Sequence, residues 1–304
     1  MNRPPLWAKA AQPSTPVNFA VPAHACDSHT HIFGDPARFP MWAGRTFTPE
    51  PALPAEMAAL HRALHMERVV IVTPSIYGTN NAATLDAMKV RGSSARGIAV
   101  IDDNTSERDL DAMGEAGMRG IRLNLMTLGE PDISAVRRRF QAAATRMEGR
   151  GWHVQVYSTL AVAAGIKDLV LNSPVPVVFD HFASVVAARG LEQPGFADVL
   201  GMVRSGKAYV KISGVYRIST QTPYYADAAP FAKALIAANA DRIVWGTDWP
   251  HPNSVTPPGH PPTEVTPLIQ IDDGRLLNLL PLWAPAPALR RKILVENPAR
   301  LYGF

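Results

Sequence analysis

The sequence has little cysteine, no long apolar run and few charged residues. Its single cysteine, Cys26, excludes an internal disulfide and a cysteine-rich metal site, which fits a reducing compartment. No apolar run reaches the roughly 18 residues of a membrane span, and residues 1–25 lack the uninterrupted apolar core of a signal peptide. We therefore expect a cytoplasmic protein.

Charged residues are also few, which limits the kinds of molecule that the protein is expected to bind. Charged residues make up 18% of the chain, below the roughly 25% of typical globular domains, and the formal net charge is +4. No run of five or six basic residues with interleaved aromatics occurs, so neither nucleic acid nor a membrane surface is expected as a partner. A mild positive charge suits a small anionic substrate.

Proline is abundant, and it clusters in two segments. Residues 1–22 have no helical or strand period and should form an extended arm that lies on the surface or reaches a neighbouring subunit of a homo-oligomer. Residues 35–54 form a second proline-rich loop that contains Phe39, Trp42 and Phe47. Long aromatic loops beside a polar site often cover it.

From residue 23 onward, short apolar runs alternate with helical patterns, which is typical of buried parallel strands with crossover helices. Beyond a first strand at residues 26–34, strands are predicted within 68–75, 95–103, 118–126, 151–159, 174–181, 207–214 and 241–252. Helices are predicted at 55–65, 80–91, 107–116, 133–149, 160–171, 196–204 and 228–238. Eight such units predict one α/β domain, a (β/α)8 TIM barrel, over residues 23–304.

The first strand carries the most informative motif, CDSHTHIFG at residues 26–34. His29 and His31 are two apart, so in a strand both imidazoles point to the same face. Two neutral imidazoles aimed at one point can hold a metal ion, polarise a carbonyl or shuttle a proton. An isolated pair of this kind is more often structural, so the rest of the chain has to decide.

Barrel enzymes carry their chemistry at the carboxyl ends of the strands. The polar residues there are His29, His31, Ser75, Asp102, Asp103, Arg122, Asn124, Tyr157, His181, Arg217 and Asp248. Taken alone, His181 is compatible with a structural role and Asp248 with a helix N-cap. Together with the paired histidines, on strand ends of one barrel, they indicate a catalytic site.

Several of these motifs resemble the amidohydrolase superfamily. They are CDSHTHIFG, GTNNAATLDA at 78–87, MRGIRLN at 118–124, VVFDH at 177–181, IVWGTDWPHPN at 243–253 and the closing NPARLYGF. The resemblance is greatest to the branch that contains 2-pyrone-4,6-dicarboxylate lactonase, 4-sulfomuconolactone hydrolase and sugar-lactone enzymes. It runs from about residue 22 to the end of the chain.

The resemblance implies hydrolysis of a carboxylated lactone of the pyrone, muconolactone or aldarolactone type. It implies that Asp248 is the general base that activates water. It assigns polarisation of the carbonyl to His29, His31 and His181, and substrate binding to Arg122, Arg217, Tyr157 and Ser75. These residue types suit the reaction, because a base must face the carbonyl carbon and donors must face the developing oxyanion.

The chain departs from the metal-dependent members of that superfamily. Those members usually have a carboxylated lysine or a glutamate after the fourth strand and a histidine after the fifth. Here the positions read Arg122 or Asn124, and Tyr157. A binuclear centre is therefore not expected, and we expect no required cofactor. A single zinc ion on His29, His31, His181 and Asp248 is chemically compatible with those donors, but four protein ligands leave no open position for water.

A second departure concerns the substrate. The stretch LMTLGEP at 125–131 has no basic residue where the lactonase pattern has a second arginine, and Phe47 replaces a tyrosine. One group that would bind a substrate carboxylate in the lactonase pattern is therefore missing. We expect a substrate with one carboxylate fewer than the pyrone dicarboxylate, or with a hydroxylated chain in its place. Phe47, Tyr77 and His251 are further candidate substrate contacts, and His251 could equally stabilise its turn.

Three alternatives to hydrolysis remain open from the sequence. A lactone isomerase would use the same base while a substrate hydroxyl, rather than water, attacks the carbonyl. A nonoxidative decarboxylase would need a metal ion whose ligand set is altered here. A ligand-binding barrel without turnover is disfavoured by Asp248, because binding of a carboxylate gains nothing from a buried negative charge beside it.

Overall fold

The computed structural model describes residues 9–126, 132–254 and 259–304. Eight parallel strands follow one another in a single sheet, each hydrogen-bonded to the next along the chain. They are β1 Cys26–Thr30, β2 Arg68–Val72, β3 Ala95–Ala99, β4 Met118–Asn124, β5 His153–Tyr157, β6 Val177–Phe179, β7 Ala208–Ser213 and β8 Ile243–Gly246. The prediction of a (β/α)8 barrel is confirmed.

The strands form where the sequence is densest in β-branched and apolar residues. In β2 the run of valine and isoleucine from Val69 to Val72 is fully buried, since helices cover one face and the barrel interior covers the other. Polar side chains on the interior face collect near the carboxyl ends of the strands. The strand order therefore determines which polar groups meet.

The last strand closes the barrel against the first through a buried carboxylate. Asp27 accepts hydrogen bonds from the Thr247 backbone at 3.0 Å, from the Thr247 hydroxyl at 2.6 Å and from His61 at 3.2 Å. Just beyond, the Asp248 amide donates to the His29 carbonyl at 2.9 Å. The closing contact thus joins the two segments that carry the histidine pair and Asp248.

The helices cover the outside of the sheet. They are α1 Pro54–Leu64, α2 Ala82–Arg91, α3 Glu107–Glu115, α4 Ile133–Met147, α5 Leu160–Gly165, α6 Lys167–Leu171, α7 Phe196–Arg204, α8 Ala229–Ala238, α9 Asp273–Leu277, α10 Leu280–Trp283, α11 Pro287–Arg291 and α12 Asn297–Tyr302. The helix predicted at 160–171 is interrupted at Ile166 and forms two short helices. The four helices after β8 were not predicted. No helix within the described residues is long and apolar enough to span a membrane.

The proline-rich segments pack on the barrel rather than standing free. In the described part of the arm, Ser14 and Thr15 hydrogen-bond to Asp272, and the Ala11 carbonyl accepts from the Trp249 indole at 3.1 Å. In the second segment Phe47 is buried. Trp42 there packs over Gly78, where a Cβ would lie only 3.2 Å from the indole. The aromatic loop thus reaches the carboxyl ends of the strands.

Candidate active site

A small cavity opens at the carboxyl ends of the strands. Its walls combine imidazole, carboxylate, guanidinium and aromatic groups. The lining residues are His31, Phe33, Phe47, Pro74, Ser75, Arg122, Asn124, Tyr157, His181, Arg217, Asp248, Pro252 and Ser254. Most of the polar strand-end residues singled out from the sequence therefore meet in one cavity.

The two oxygens of Asp248 have different surroundings. Oδ2 accepts hydrogen bonds from the Tyr216 hydroxyl at 2.7 Å and from Arg217 Nε at 2.5 Å. Oδ1 is buried and has no hydrogen-bond partner among the described residues. One oxygen is thus held in place while the other is open to accept a proton.

Three imidazoles surround that open oxygen. The Nε2 atoms of His29, His31 and His181 lie 3.7, 3.5 and 3.8 Å from Asp248 Oδ1. All four side chains are almost completely buried. Because β1, β6 and β8 contribute them, only closure of the barrel brings them together.

The protonation of His31 follows from one contact. Its Nδ1 lies 2.8 Å from the Val72 carbonyl oxygen, which can only accept. The proton of the neutral ring is therefore on Nδ1, and Nε2 presents a lone pair to the cavity. His31 consequently accepts a proton or a hydrogen bond at Nε2 and does not donate one.

Burial keeps these rings uncharged. It lowers the pKa of His29 well below its ordinary range, lowers that of His31, and lowers the pKa of His181 to about 4. Burial alone would raise the pKa of Asp248, but the charge of Arg217 outweighs it and holds that pKa well below its usual value. At neutral pH the site pairs neutral imidazoles with an ionised carboxylate.

A buried polar network lies beneath His29. Asp180 Oδ2 accepts from Arg122 Nε and from Gln155 Nε2, each at 3.0 Å. Lys211 Nζ donates to Gln155 Oε1 at 2.7 Å and lies 3.2 Å from His29 Nδ1. Burial lowers the pKa of Lys211 to about 8.

Sequence reasoning missed Asp180, Gln155 and Lys211 as parts of this site. A signal for two of them is present in the strands HVQVY and AYVKIS. Gln155 and Lys211 there interrupt otherwise mostly apolar runs, which places a polar group in the barrel interior. The contact between Tyr216 and Asp248 depends on loop geometry and leaves no such pattern.

Some of the expected side chains lie outside the cavity. The Tyr77 hydroxyl accepts from the Gly34 amide at 2.9 Å, and His251 Nε2 is paired with buried Asp273 at 3.0 Å. Asp102 accepts from the Asn104 amide in its own turn, and Asp103 is exposed. These contacts indicate structural roles for Tyr77 and His251. Of the stretch 125–131, residues 127–131 lie outside the described residues.

The donor atoms of His29, His31 and Asp248 satisfy one requirement of a metal site. Their separations of 3.3, 3.5 and 3.7 Å match the roughly 3.4 Å expected between ligands of a tetrahedral ion bound at about 2.1 Å. A second cluster joins His29 and His181 to Asp180. Both clusters are candidate metal-binding groups.

Charge does not fit a divalent ion. Lys211 contacts His29 directly, Arg217 contacts Asp248, and Arg122 contacts Asp180. The two carboxylates are thus already neutralised by three cationic groups, and a divalent ion would add two positive charges in a buried space. The spacing of the donors fits a metal ion, and their electrostatic surroundings do not.

Parallel strands closed into a barrel, with imidazoles and a carboxylate at their carboxyl ends, are typical of a (β/α)8 barrel enzyme. Residues 26–304 match the family described as amidohydrolase, and the chain belongs to that family. The resemblance seen in the sequence motifs is confirmed.

The chain is also similar to curated proteins that act on lactones. The chain is 34% identical to a 2-pyrone-4,6-dicarboxylate hydrolase from Comamonas testosteroni, over 96% of this chain and 94% of the relative. It is also 34% identical to a 4-sulfomuconolactone hydrolase from Rhizobium radiobacter, over 99% and 96%. A D-galactarolactone isomerase from Agrobacterium fabrum is 31% identical, over 95% and 94%. These relatives are lactone hydrolases and a lactone isomerase.

A solved structure agrees with the fold. The apo crystal structure of an Agrobacterium tumefaciens protein superposes with a TM-score of 0.80 at 28% identity. The alignment covers 96% of this chain and 98% of that one. The arrangement of strands and helices is therefore shared along nearly the whole length.

Proposed function

We propose that this protein hydrolyses a carboxylated lactone of the pyrone, muconolactone or aldarolactone type. The observation that carries the proposal is the asymmetric environment of Asp248. Oδ2 is held by Tyr216 and Arg217, and buried Oδ1 faces the cavity without a hydrogen-bond partner among the described residues. A carboxylate held in this way can act as a general base.

In the first step, a water molecule bound beside two acceptors attacks the lactone carbonyl carbon. Asp248 Oδ1 and His31 Nε2 are 3.5 Å apart, so a water molecule beside them can lie within hydrogen-bond distance of both. Asp248 takes one proton as the new C–O bond forms, and the carbonyl oxygen becomes an oxyanion. His29 and His181 are the imidazoles left to stabilise it.

In the second step the tetrahedral intermediate collapses. The bond between the carbonyl carbon and the ring oxygen breaks, and the proton held by Asp248 passes to the leaving oxygen. The product is an open-chain acid with one carboxylate more than the substrate. No step requires a metal ion, and the three cations of the site disfavour one.

The substrate's carboxylate belongs against Arg122 and its aromatic partner. The Arg122 guanidinium is buried and stacks on Tyr157 at 4.9 Å from the ring centroid, and its Nε donates to Asp180. A guanidinium held in this orientation suits bidentate recognition of a carboxylate. Ser75 and Asn124 line the same wall, where they could contact a ring oxygen or hydroxyl.

One comparison favours a second candidate reaction. The similarity to a D-galactarolactone isomerase supports attack by a substrate hydroxyl instead of water, with Asp248 again taking the proton. Hydrolysis has the support of more of the similar relatives, since two of the three described above are hydrolases.

Ring opening in ¹⁸O-labelled water distinguishes the two reactions. The purified protein is incubated with a panel of pyrone, muconolactone and aldarolactone carboxylates, with and without chelator, and products are analysed by proton NMR and mass spectrometry. Hydrolysis predicts an open-chain product with one ¹⁸O in the new carboxylate, and the rate should survive chelation. An unlabelled rearranged lactone would instead establish the isomerase, and activity that disappears on chelation and returns with zinc would overturn the metal-free reaction.

A further inference from the structure

A lysine in the barrel interior contacts the histidine pair from below. Lys211 on β7 is fully buried, and its ammonium faces three acceptors. These are Gln155 Oε1 at 2.7 Å, His29 Nδ1 at 3.2 Å and Asp180 Oδ1 at 3.7 Å. An ammonium group has three N–H donors and no lone pair, so Gln155 and His29, the two neighbours within hydrogen-bond distance, must accept.

This geometry determines the tautomer of His29. If Nδ1 accepts from Lys211, the single proton of the neutral ring is on Nε2. Asp180 Oδ1 lies 3.2 Å from the same Nδ1 and would accept its proton in the other tautomer. That competing arrangement would set the Nδ1–H of His29 against the ammonium of Lys211, two donors 3.2 Å apart.

An independent contact agrees with this assignment. His31 carries its proton on Nδ1, because that atom faces the Val72 carbonyl, so its Nε2 is an acceptor. The two Nε2 atoms lie 3.3 Å apart. A donor on His29 facing an acceptor on His31 gives a hydrogen bond at that distance, whereas two lone pairs would repel each other.

We propose that Lys211 is a positioning residue that holds His29 with its proton on Nε2, where this N–H donates to His31 before substrate binds and to the reacting carbonyl afterwards. His31 then orients water and His29 stabilises the oxyanion, so the two histidines of one motif have opposite roles. The same hydrogen bond removes the lone pair through which His29 would bind a metal ion. The catalytic part of this inference rests on the proposed lactone hydrolysis, whereas the tautomer does not.

Nitrogen-15 NMR of histidine-labelled protein tests the tautomer directly. His29 is assigned by comparison with His29→Gln, and the two-bond correlation pattern of its ring identifies which nitrogen carries the proton. The wild-type protein should show a protonated Nε2 on His29 and a protonated Nδ1 on His31. A protonated Nδ1 on His29 in the wild type would overturn the proposal, whatever reaction the enzyme catalyses.

Lys211→Met removes the donor, and exposed Lys207→Met on the same strand segment is the matched control. In Lys211→Met the His29 proton should move to Nδ1, where Asp180 can accept it, and kcat for ring opening should fall about 100-fold through loss of one oxyanion donor. KM should change much less. If His29 keeps its Nε2 proton in this variant, Lys211 does not determine the tautomer. If the variant fails to fold, the wild-type spectrum alone tests the proposed tautomer.

Zinc binding gives a readout that does not depend on activity. With Nδ1–H bonded to a carboxylate, a histidine binds metal about 10- to 100-fold more tightly. Competition between the protein and a chromogenic chelator for zinc should therefore show at least about tenfold tighter binding by Lys211→Met than by the wild type or Lys207→Met. Equal zinc affinity in all three proteins would contradict the exclusion of metal by Lys211.

Discussion

At the scale of single residues, the site depends on fixing one oxygen of Asp248 while leaving the other open. Tyr216 and Arg217 both bond Oδ2, from adjacent positions in the loop after β7. Burial raises the pKa of Tyr216 well above its usual range, so its hydroxyl remains a donor at any working pH. The loop thus orients the base without competing for its proton.

Tyr216→Phe tests this orientation. The substitution removes the 2.7 Å hydrogen bond to Oδ2 and leaves Arg217 in place. A hydrogen bond to a charged group contributes about 1.5 to 3 kcal/mol, so we expect kcat for ring opening to fall at least about tenfold while KM stays nearly constant. Tyr224→Phe is the control, because Tyr224 is 65% exposed. A Tyr216→Phe enzyme as fast as Tyr224→Phe would contradict the role given to Tyr216.

The sequence predicts the residues at strand ends better than those below them or in loops. His29, Arg122, Tyr157 and Asp248 follow from the rule that polar groups after barrel strands share one mouth. Lys211 escapes this rule because it lies within its strand. A buried lysine can form an ion pair, donate a hydrogen bond or be deprotonated, depending on side chains from other strands. Only the three-dimensional structure shows which side chains those are.

At the scale of secondary structure elements, the contact between β1 and β8 determines where His29 lies. Gly246 ends β8 directly against β1, and a Cβ there would lie 2.7 Å from the His29 amide nitrogen and 2.9 Å from its Cβ. Only glycine permits this approach. The distance between the two strands therefore sets the distance between His29 and Asp248.

Gly246→Ala should affect both stability and catalysis. The added methyl group must push β1 and β8 apart, which costs about 1 to 3 kcal/mol in the free energy of unfolding. Because a displacement of about 1 Å at reacting groups can cost 100-fold in rate, kcat/KM for ring opening should fall by a comparable factor. Urea denaturation and steady-state kinetics measure the two effects.

The control for that variant is the same substitution in a helix. Gly201 lies in α7, where a Cβ would meet nothing closer than the Lys167 side chain at 3.8 Å. Gly201→Ala should raise the free energy of unfolding by up to about 1 kcal/mol through helix propensity and leave activity unchanged. If Gly246→Ala behaves like Gly201→Ala, the close approach of the two strands is not what positions His29.

The elements that could be predicted share a clear physical signal. Helices such as α7 and strands such as β2 combine length with a consistent apolar period, and their observed bounds lie within a few residues of the predicted ones. The four helices after β8 are only four to six residues long, and three of them have proline in the first turn. Such segments show too little periodicity to be told from loops, and packing against the barrel stabilises them.

At the scale of the whole molecule, four histidines are buried in the barrel with lowered pKa. They are His29, His31 and His181 at the site and His153 near the opposite end, whose pKa burial lowers to about 3. In the unfolded chain each takes up a proton near pH 6.5, but in the fold each stays neutral at lower pH. Stability contributed by these groups is complete above about pH 6.5 and is lost as the pH falls toward their folded pKa values.

The lowered histidine pKa values predict that the free energy of unfolding falls steeply between pH 6 and pH 4. Each histidine that protonates only on unfolding contributes a slope of about 1.4 kcal/mol per pH unit. His153→Gln should reduce the slope by about that amount while keeping ring-opening activity, because His153 lies away from the cavity. Urea denaturation at several pH values measures the slope, and an unchanged slope in His153→Gln would contradict a neutral buried His153.

Single-turnover ring opening by Asp248→Asn tests whether Asp248 is the base of a metal-free lactone hydrolysis. Wild type and variant are treated with chelator and mixed with the lactone that the substrate panel identifies. Binding should persist in the variant while the ring-opening rate falls about 1,000-fold, since asparagine cannot take the proton from water. Ring opening by Asp248→Asn at the wild-type rate would show that Asp248 is not the base.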